Sequence, residues 1–434
     1  MTTKELLDVL DYNQPVVARR ARYLAGTQDL RYTVDRVDAK ARFTSNLCRV
    51  AVNAVAERLR IKSVDVTVKG RDVTDEAAKL LDDADLDMLL QAALYEALGL
   101  GSSYLIVWAD EYTGRPTITV ESAEQVAVTR HPVTRAVTAA VKRWDVVSPA
   151  GVVTETHVVK YEPTRVVHLK RDAAEGRLKF VEAWDNPLGV VPVVPLVNIG
   201  RVHDLAGHSV VDDLAPLVDA LNKLMSDLLT TSESVARPKR YVTGVNLDED
   251  DDEWVADAIE GGFSADAVAD PANEDAIRAE VDGVRSPFKD SDDLWVSEQS
   301  DAKFGQLAGA DMTGYKVGVD LVMQQIMTVT GLPGHLVGVT TANPSTAEAL
   351  QAAEVALSSR ADSRIRVFNA PVEWAVRLLV AVAKGVSPAE VTADVKWAPT
   401  TTRSVAAEAD AATKLVAAEV VDGAEVKEHL GIEE

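Results

Sequence analysis

Two runs of heptad-spaced apolar residues constrain this chain more than any other feature. Val211, Leu214, Val218, Leu221, Met225 and Leu228 recur at alternating steps of three and four, and Met312, Tyr315, Val319, Val322, Ile326 and Val329 follow similar spacing. Such spacing draws one apolar seam along a helix, and the seam demands a packing partner. Each run makes a helix of roughly 20 residues, about 30 Å long. The simplest geometry sends one helix out and the other back, with a small domain at the tip. Two ordinary amphipathic helices packed in one globular core satisfy the same periodicity. Pro216 falls inside the first run and is expected to kink it.

The segment between the seams is acidic. From Tyr241 to Asp301, nineteen Asp and Glu residues stand against Arg278, Arg285 and Lys289, which places −16 of the chain's net charge of −23 there. Its densest run is Asp248-Glu249-Asp250-Asp251-Asp252-Glu253. That run lacks the glycine and closing glutamate of a calcium loop and reads as a solvated acidic surface. A chain this acidic is a poor static binder of nucleic acid, because affinity for phosphates comes mainly from Lys and Arg. It suits a surface past which DNA moves without sticking. One basic cluster, Arg237, Lys239 and Arg240 around Pro238, marks the end of the first seam helix. Cations there complement the helix dipole; in a ring they would face DNA or a partner.

The second seam runs into Thr330-Gly331-Leu332-Pro333, and a long Ala-rich helix begins at Thr346. The loop between, to Asn343-Pro344-Ser345, has His335 as its one ionisable group, and its composition predicts a mobile loop held at both ends. Ser345 and Glu348 have the spacing of a capping box. Leu350, Ala353, Leu357, Ala361, Ile365 and Phe368 form the long helix's apolar stripe, with Arg360 and Arg364 one turn apart on a neighbouring face. Pro371 is expected to kink or break the helix, which stops at Gly385.

The remainder reads as α+β. Leu6, Leu7, Val9 and Leu10 predict a short helix, Val37 to Leu59 a second, Ile61–Val68 a strand, and 75–98 a helix ended by Gly99 and Gly101. Tyr104–Trp108, Thr117–Val120, Val152–Tyr161, Arg165–Lys170 and Arg177–Trp184 predict strands of a meander. Asn186 to Pro195, with three prolines, predicts a stiff extended connector, and Val391–Trp397 a late strand followed by a helix near 404–421.

Chemistry is sparse. The P-loop, G-x-S-x-G and G-x-G-x-x-G patterns are all missing. The lone Cys48 lies on the apolar face of a helix, which fits core packing, a reducing compartment and no internal disulfide. His203 and His208 flank Asp204 without the partners of a metal site. No apolar run reaches the roughly 18–20 residues of a membrane span, and no signal peptide opens the chain. We therefore expect no catalytic residues, metal, cofactor or membrane partner. A hydrolase built on the strand-rich half with His157 or His168 as base remains the enzymatic alternative.

Five segments carry a resemblance. They are Asn186-Pro187-Leu188-Gly189 through Pro192-Val193-Val194-Pro195-Leu196-Val197-Asn198; Gly207-His208-Ser209 through Asp219-Ala220-Leu221-Asn222; Ala236-Arg237-Pro238-Lys239-Arg240-Tyr241-Val242-Thr243-Gly244; Thr330-Gly331-Leu332-Pro333; and Asn343-Pro344-Ser345-Thr346-Ala347-Glu348-Ala349-Leu350. In this order the chain resembles tailed-phage portal proteins of the Gp6-like, siphovirus-type family over most of its length. The resemblance implies an α+β portal fold with wing, helical stem, clip and helical crown, assembling as a ring. It implies a wing at 1–205, stem helices at 206–236 and 311–331, an acidic clip at 237–310 and a tunnel loop at 332–345. A long kinked wing helix at 346–385 and a crown at 386–434 complete it.

The resemblance further implies a homododecamer at one capsid vertex, assembled in the host bacterial cytoplasm, through which double-stranded DNA is packaged and ejected. The implied partners are the terminase large subunit, a head–tail adaptor, and the major capsid and scaffolding proteins. His335, Leu336, Val337, Val339, Thr340, Thr341 and Asn343 would line the passage; Arg237, Lys239 and Arg240 would sit between stem and clip; Asp248 through Glu253 would form the clip's acidic surface. Another oligomeric virion protein, an adaptor or capsid component, is the nearest alternative.

Overall fold

A computed structural model describes residues 2–30, 43–110, 113–172, 176–203, 206–236, 240–243, 259, 303–306, 312–338, 347–401, 413, 414 and 416. The chain divides into two compact units, Leu228–Met312 and the remainder. In the larger unit, helix α1 (Thr3–Ala25) is followed by α2 (Leu47–Ala56), β1 (Ile61–Val68), β2 (Arg71–Asp72), α3 (Thr74–Asp83) and α4 (Leu86–Leu100). Strands β3 (Ser102–Ala109), β4 (Pro116–Ser122), β5 (Val126–Arg130), β6 (Val137–Val147), β7 (Val153–Tyr161), β8 (Arg165–Asp172), β9 (Lys179–Asp185) and β10 (Val193–Val197) come next. Helix α5 (Val210–Ala236) leads into β11 (Arg240–Thr243); after β12 (Lys303–Gln306) come α6 (Thr313–Thr330), α7 (Ala347–Lys384) and β13 (Val391–Trp397).

Among the described residues every strand pairing is antiparallel. Among the described residues the larger unit holds three sheets, ordered β13-β1-β2, β10-β3-β4 and β5-β6-β7-β8-β9, and β11 and β12 make a two-stranded ladder in the smaller unit. Within that ladder Tyr241 faces Gly305, and its ring occupies the space a Cβ on Gly305 would need. The architecture is α+β, as expected.

The main core of the larger unit brings α2, α4, the inner face of α5 and the second half of α7 against the β3 and β1 sheets. Leu59, Leu94, Leu105, Leu196, Leu214, Ile326, Leu357 and Phe368 are fully buried in it. Each such side chain stabilises the fold by about 1.5–3 kcal/mol through removal from water. A second, smaller cluster packs Leu6 and Leu10 of α1 onto Ala127, Ala139, Val141 and Val158 of the five-stranded sheet.

Several elements differ from the sequence expectation. The first helix extends to Ala25 through Pro15, with Thr2 and Glu5 forming a capping box. The expected helix 75–98 is two helices, broken where Asp85 takes a left-handed conformation (φ 50°), and Gly99 lies inside α4. Strands β5 and β6 are additional to the strands that the sequence pattern predicts. The proline connector ends in β10, which pairs with β3 alone, so Pro195 sits on an edge strand where a missing N–H is tolerated. Helix α7 runs unbroken through Pro371. Val391–Trp397, expected in the crown, instead pairs along β1 from Ile61 to Val68. The cause is a strand partner more than 300 residues away, which local patterning does not encode.

One crossing locks the larger unit together. The turn after α4 and the turn before α5 meet backbone to backbone at Gly101 (φ 99°) and Gly207 (φ 85°), where a Cβ on Gly207 would lie 1.8 Å from the Gly101 carbonyl oxygen. Arg20 of α1 seals this contact. Its guanidinium, largely buried, donates to the Leu100 carbonyl at 2.5 Å and grips Asp212 with Nη2 and Nε at 2.5 and 3.2 Å. Ser209 starts α5 by accepting from the Val211 N–H while its hydroxyl donates to the Gly99 carbonyl.

Gly207→Ala is expected to destabilise the chain by more than about 3 kcal/mol, since neither backbone can retreat. Gly151→Ala, at a positive-φ turn with open space around it, should cost only the conformational strain of about 1–2 kcal/mol. Urea denaturation of both variants measures the difference.

Candidate functional site

The hinge between α6 and the following loop is built from side chain to backbone contacts. Thr330 donates its hydroxyl to the Ile326 carbonyl (2.7 Å) and accepts from the Leu332 N–H (3.2 Å). Gly331 takes φ 70° and donates its N–H to the Met327 carbonyl, ending the helix. Arg360 of α7 covers this turn: its Nε would lie 2.7 Å from a Cβ on Gly331, and its Nη2 reaches the Thr328 carbonyl at 3.5 Å. A cation there also complements the negative end of the α6 dipole. Leu332 is buried, and Pro333 leads into a single 3-10 turn, Gly334–Val337, closed by Gly338.

His335 does not project freely from the loop. It is half-buried, with Nε2 3.4 Å from Glu354 Oε1 of α7, and the second Glu354 oxygen accepts from Arg58 Nη2 at 3.2 Å. Arg58 is itself tied to the Ala54 carbonyl at the end of α2. The first part of the loop is therefore docked on α7, where its neutral composition predicts a mobile loop held at both ends. Composition records that a residue is uncharged or ionisable but not that a carboxylate waits opposite it. Val337 packs partly against the core and Leu336 is exposed.

The other expected loop residues, Val339, Thr340, Thr341 and Asn343, lie outside the described residues, as do Arg237, Lys239 and the acidic run Asp248 to Glu253. Arg240 pairs by its backbone with Gln306 in the β11–β12 ladder. The two seams are legible in burial. Val211, Leu214, Val218 and Leu221 are buried on α5, and Ile326 is buried on α6 with Met312, Tyr315, Val319, Val322 and Val329 half-buried.

His157 and His168 form a ladder across the five-stranded sheet. Their facing ring nitrogens, His157 Nδ1 and His168 Nε2, are 2.9 Å apart. Glu155 meets the far side of His157 at 3.1 Å, and Glu182 that of His168 at 3.5 Å. Trp144 and Trp184 flank the pair with nearly parallel rings. These contacts account for both imidazoles as cross-strand structure. Burial pushes the Cys48 thiol up to about 12, with Asp219 adding to the effect, so it is a core side chain without thiolate character. His208 is engaged by Asp213 at 3.1 Å. Among the described residues, no group of three or more His, Cys, Asp or Glu side chains is placed to hold a metal ion, and no helix is long and apolar enough to cross a membrane.

The described residues thus present a scaffold: two seam helices, a braced hinge and a docked loop. The chain belongs to the family described as phage portal protein, SPP1 Gp6-like, which matches residues 4–427. It is 29% identical over 247 residues to the portal protein of Mycobacterium phage D29, covering 56% of this chain and 45% of that protein. To the portal protein of Mycobacterium phage L5 it is 29% identical over 231 residues, covering 52% and 42%. The matched stretches thus span less than half the length of either mycobacteriophage protein. Among solved structures, a chain of the native gene transfer agent virion aligns over 96% of this chain and 93% of its own length, at 15% identity and a TM-score of 0.46. A chain from the neck of the native particle, computed with C12 symmetry, aligns over 96% and 99%, at 15% identity and a TM-score of 0.45.

Gly331→Ala is expected to destabilise the chain by about 1–3 kcal/mol, because the new methyl must displace Arg360 and adopt a left-handed conformation. Pairing it with Arg360→Ala should recover part of that loss. A double-mutant cycle of unfolding free energies reads this coupling directly.

Proposed function

We propose that this chain forms the ring-shaped portal at one capsid vertex, through which double-stranded DNA is packaged and ejected. Family membership over residues 4–427 carries the reading. The parts follow the sequence: wing at 1–205, stem helices at 206–236 and 311–331, acidic clip at 237–310, tunnel loop at 332–345, and long wing helix at 346–385. The separate compactness of Leu228–Met312 supports treating the clip as its own module. The β1–β13 pairing favours a crown that begins after Thr401, since 391–397 belongs with the wing sheet.

In this reading twelve copies surround the channel. Seam helices α5 and α6 make its wall, and exposed apolar residues on the outer side of α6, Val317 and Leu321, face the neighbouring copy. The acidic segment presents like charge to DNA phosphates, so DNA slides past it. Its clip docks the terminase large subunit during packaging and a head–tail adaptor afterwards, while the wing and crown meet the capsid and scaffolding proteins.

Electron microscopy of the purified full chain tests the assembly: twelve-fold rings with a central channel are expected, and a monomer without rings would overturn the reading. Deleting 336–341 should sharply reduce packaging efficiency or DNA retention; unchanged packaging with full retention would remove the loop from the channel. Charge reversal at Asp250–Glu253 should weaken adaptor binding and flatten its salt dependence, as read by titration at two ionic strengths.

A further inference from the structure

The second half of α7, strand β10 and the turn that joins β5 to β6 bound an open, largely apolar groove of about 400 Å³. Val190, Pro195, Pro371 and Trp374 are half-buried along it, beside the buried Val191, Val193 and Val194. Arg377, one turn further along α7, lies over the Trp374 ring at 4.9 Å and donates to the Pro388 carbonyl at 3.0 Å, which holds the indole in place. A groove of this size falls within the roughly 300–1,000 Å³ of ordinary ligand clefts.

Two cations, Arg130 and Arg135, stand at the β5–β6 end of the groove. Among the described residues neither guanidinium makes a hydrogen bond or an ion pair, in a chain with a large excess of acidic groups. Burial is the largest effect on the half-buried Arg130 and disfavours its cation; Tyr104 opposes this, and the charge of Arg135 adds to it. No carboxylate acts on Arg130 to offset the cost. The backbone that carries the pair is fixed. Arg135 takes φ 61° and donates its N–H to the His131 carbonyl at 2.9 Å. His131 Nδ1 in turn accepts from the Val133 and Thr134 N–H groups at 3.3 and 3.2 Å. The groove therefore joins an apolar wall to two positioned cations whose counter-charge this unit does not supply.

We propose that this groove docks a linear segment of a partner protein in which bulky apolar side chains stand next to Asp or Glu. The apolar side chains cover Val190, Pro195, Pro371 and Trp374, and the carboxylates pair with Arg130 and Arg135. A guanidinium matches a carboxylate through two parallel N–H donors. Trp and Arg are also the residues on which protein interfaces concentrate their binding energy. A nucleotide suits the groove less well. The wall is Val, Pro and Ala around one indole, and it has no Asn, Gln, Ser or Thr to recognise a base edge or a sugar. The proposal is argued from this groove alone and stands apart from the portal reading.

Fluorescence anisotropy tests the assignment, with the full chain titrated into a labelled short peptide that carries Leu-Trp between two acidic residues on each side. Saturable binding is expected. It should weaken at least about tenfold when the acidic residues are replaced by Lys, and again when Leu-Trp is replaced by Ala-Ala. Arg135→Glu, at an exposed position, should weaken the peptide at least about fivefold and flatten the salt dependence. Trp374→Ala should weaken it about tenfold or more. No saturable binding, equal binding of the Lys-flanked peptide, or binding that Arg135→Glu leaves unchanged would each overturn the proposal. Tighter binding of a thymidine oligonucleotide than of the peptide would overturn it in favour of nucleic acid. Self-association lost in Arg135→Glu, with no peptide bound by the unmutated chain, would give the groove to a second copy instead. The comparison of acidic and Lys-flanked peptides uses the unmutated chain, so it decides even if Trp374→Ala fails to fold.

Discussion

The larger unit depends on one crossing, where the backbones of Gly101 and Gly207 touch and Arg20 fills the remaining space. Two non-hydrogen side chains would not fit, and the carbonyls crowded there need donors. Arg20 supplies them and also neutralises Asp212 at the start of α5. This fixes the direction in which α5 leaves the sheet that carries β10 and β3. The Asn198 N–H, bonded to the Gly101 carbonyl, belongs to the same junction. The buried end of the connector and the start of α5 are therefore set by a single packing event.

The hinge after α6 uses a related device with different chemistry. Gly331 turns the chain, and a neighbouring helix supplies a long cation, Arg360, to cover the turn. His335, Glu354 and Arg58 then hold the first loop residues against α7.

Much of this was legible locally. Seam spacing located α5 and α6, because a 3.6-residue period shows itself within one helix. Thr330-Gly331-Leu332-Pro333 marked the end of α6, since glycine and proline act on their own backbone. The strands β7, β8 and β9 were legible for the same reason, with turn residues between them. What was missed had non-local causes. Pro371 was expected to interrupt α7, yet dense packing of Phe368, Val372 and Ala375 carries the helix through. Alternation makes His157 and His168 face residues of their strands, but that their rings meet each other across two strands is a tertiary fact.

The sequence by itself determined where helices run and stop, how charge is partitioned, and which family the order of motifs resembles. These properties are set by neighbours within a few residues. Only the tertiary structure decided that β13 joins β1, that Arg20 meets Asp212 across 192 residues, and that Arg360 covers Gly331. Each depends on which distant atoms a side chain or backbone group meets, and a hydrogen bond, a clash or a missing partner exists only once that meeting is made.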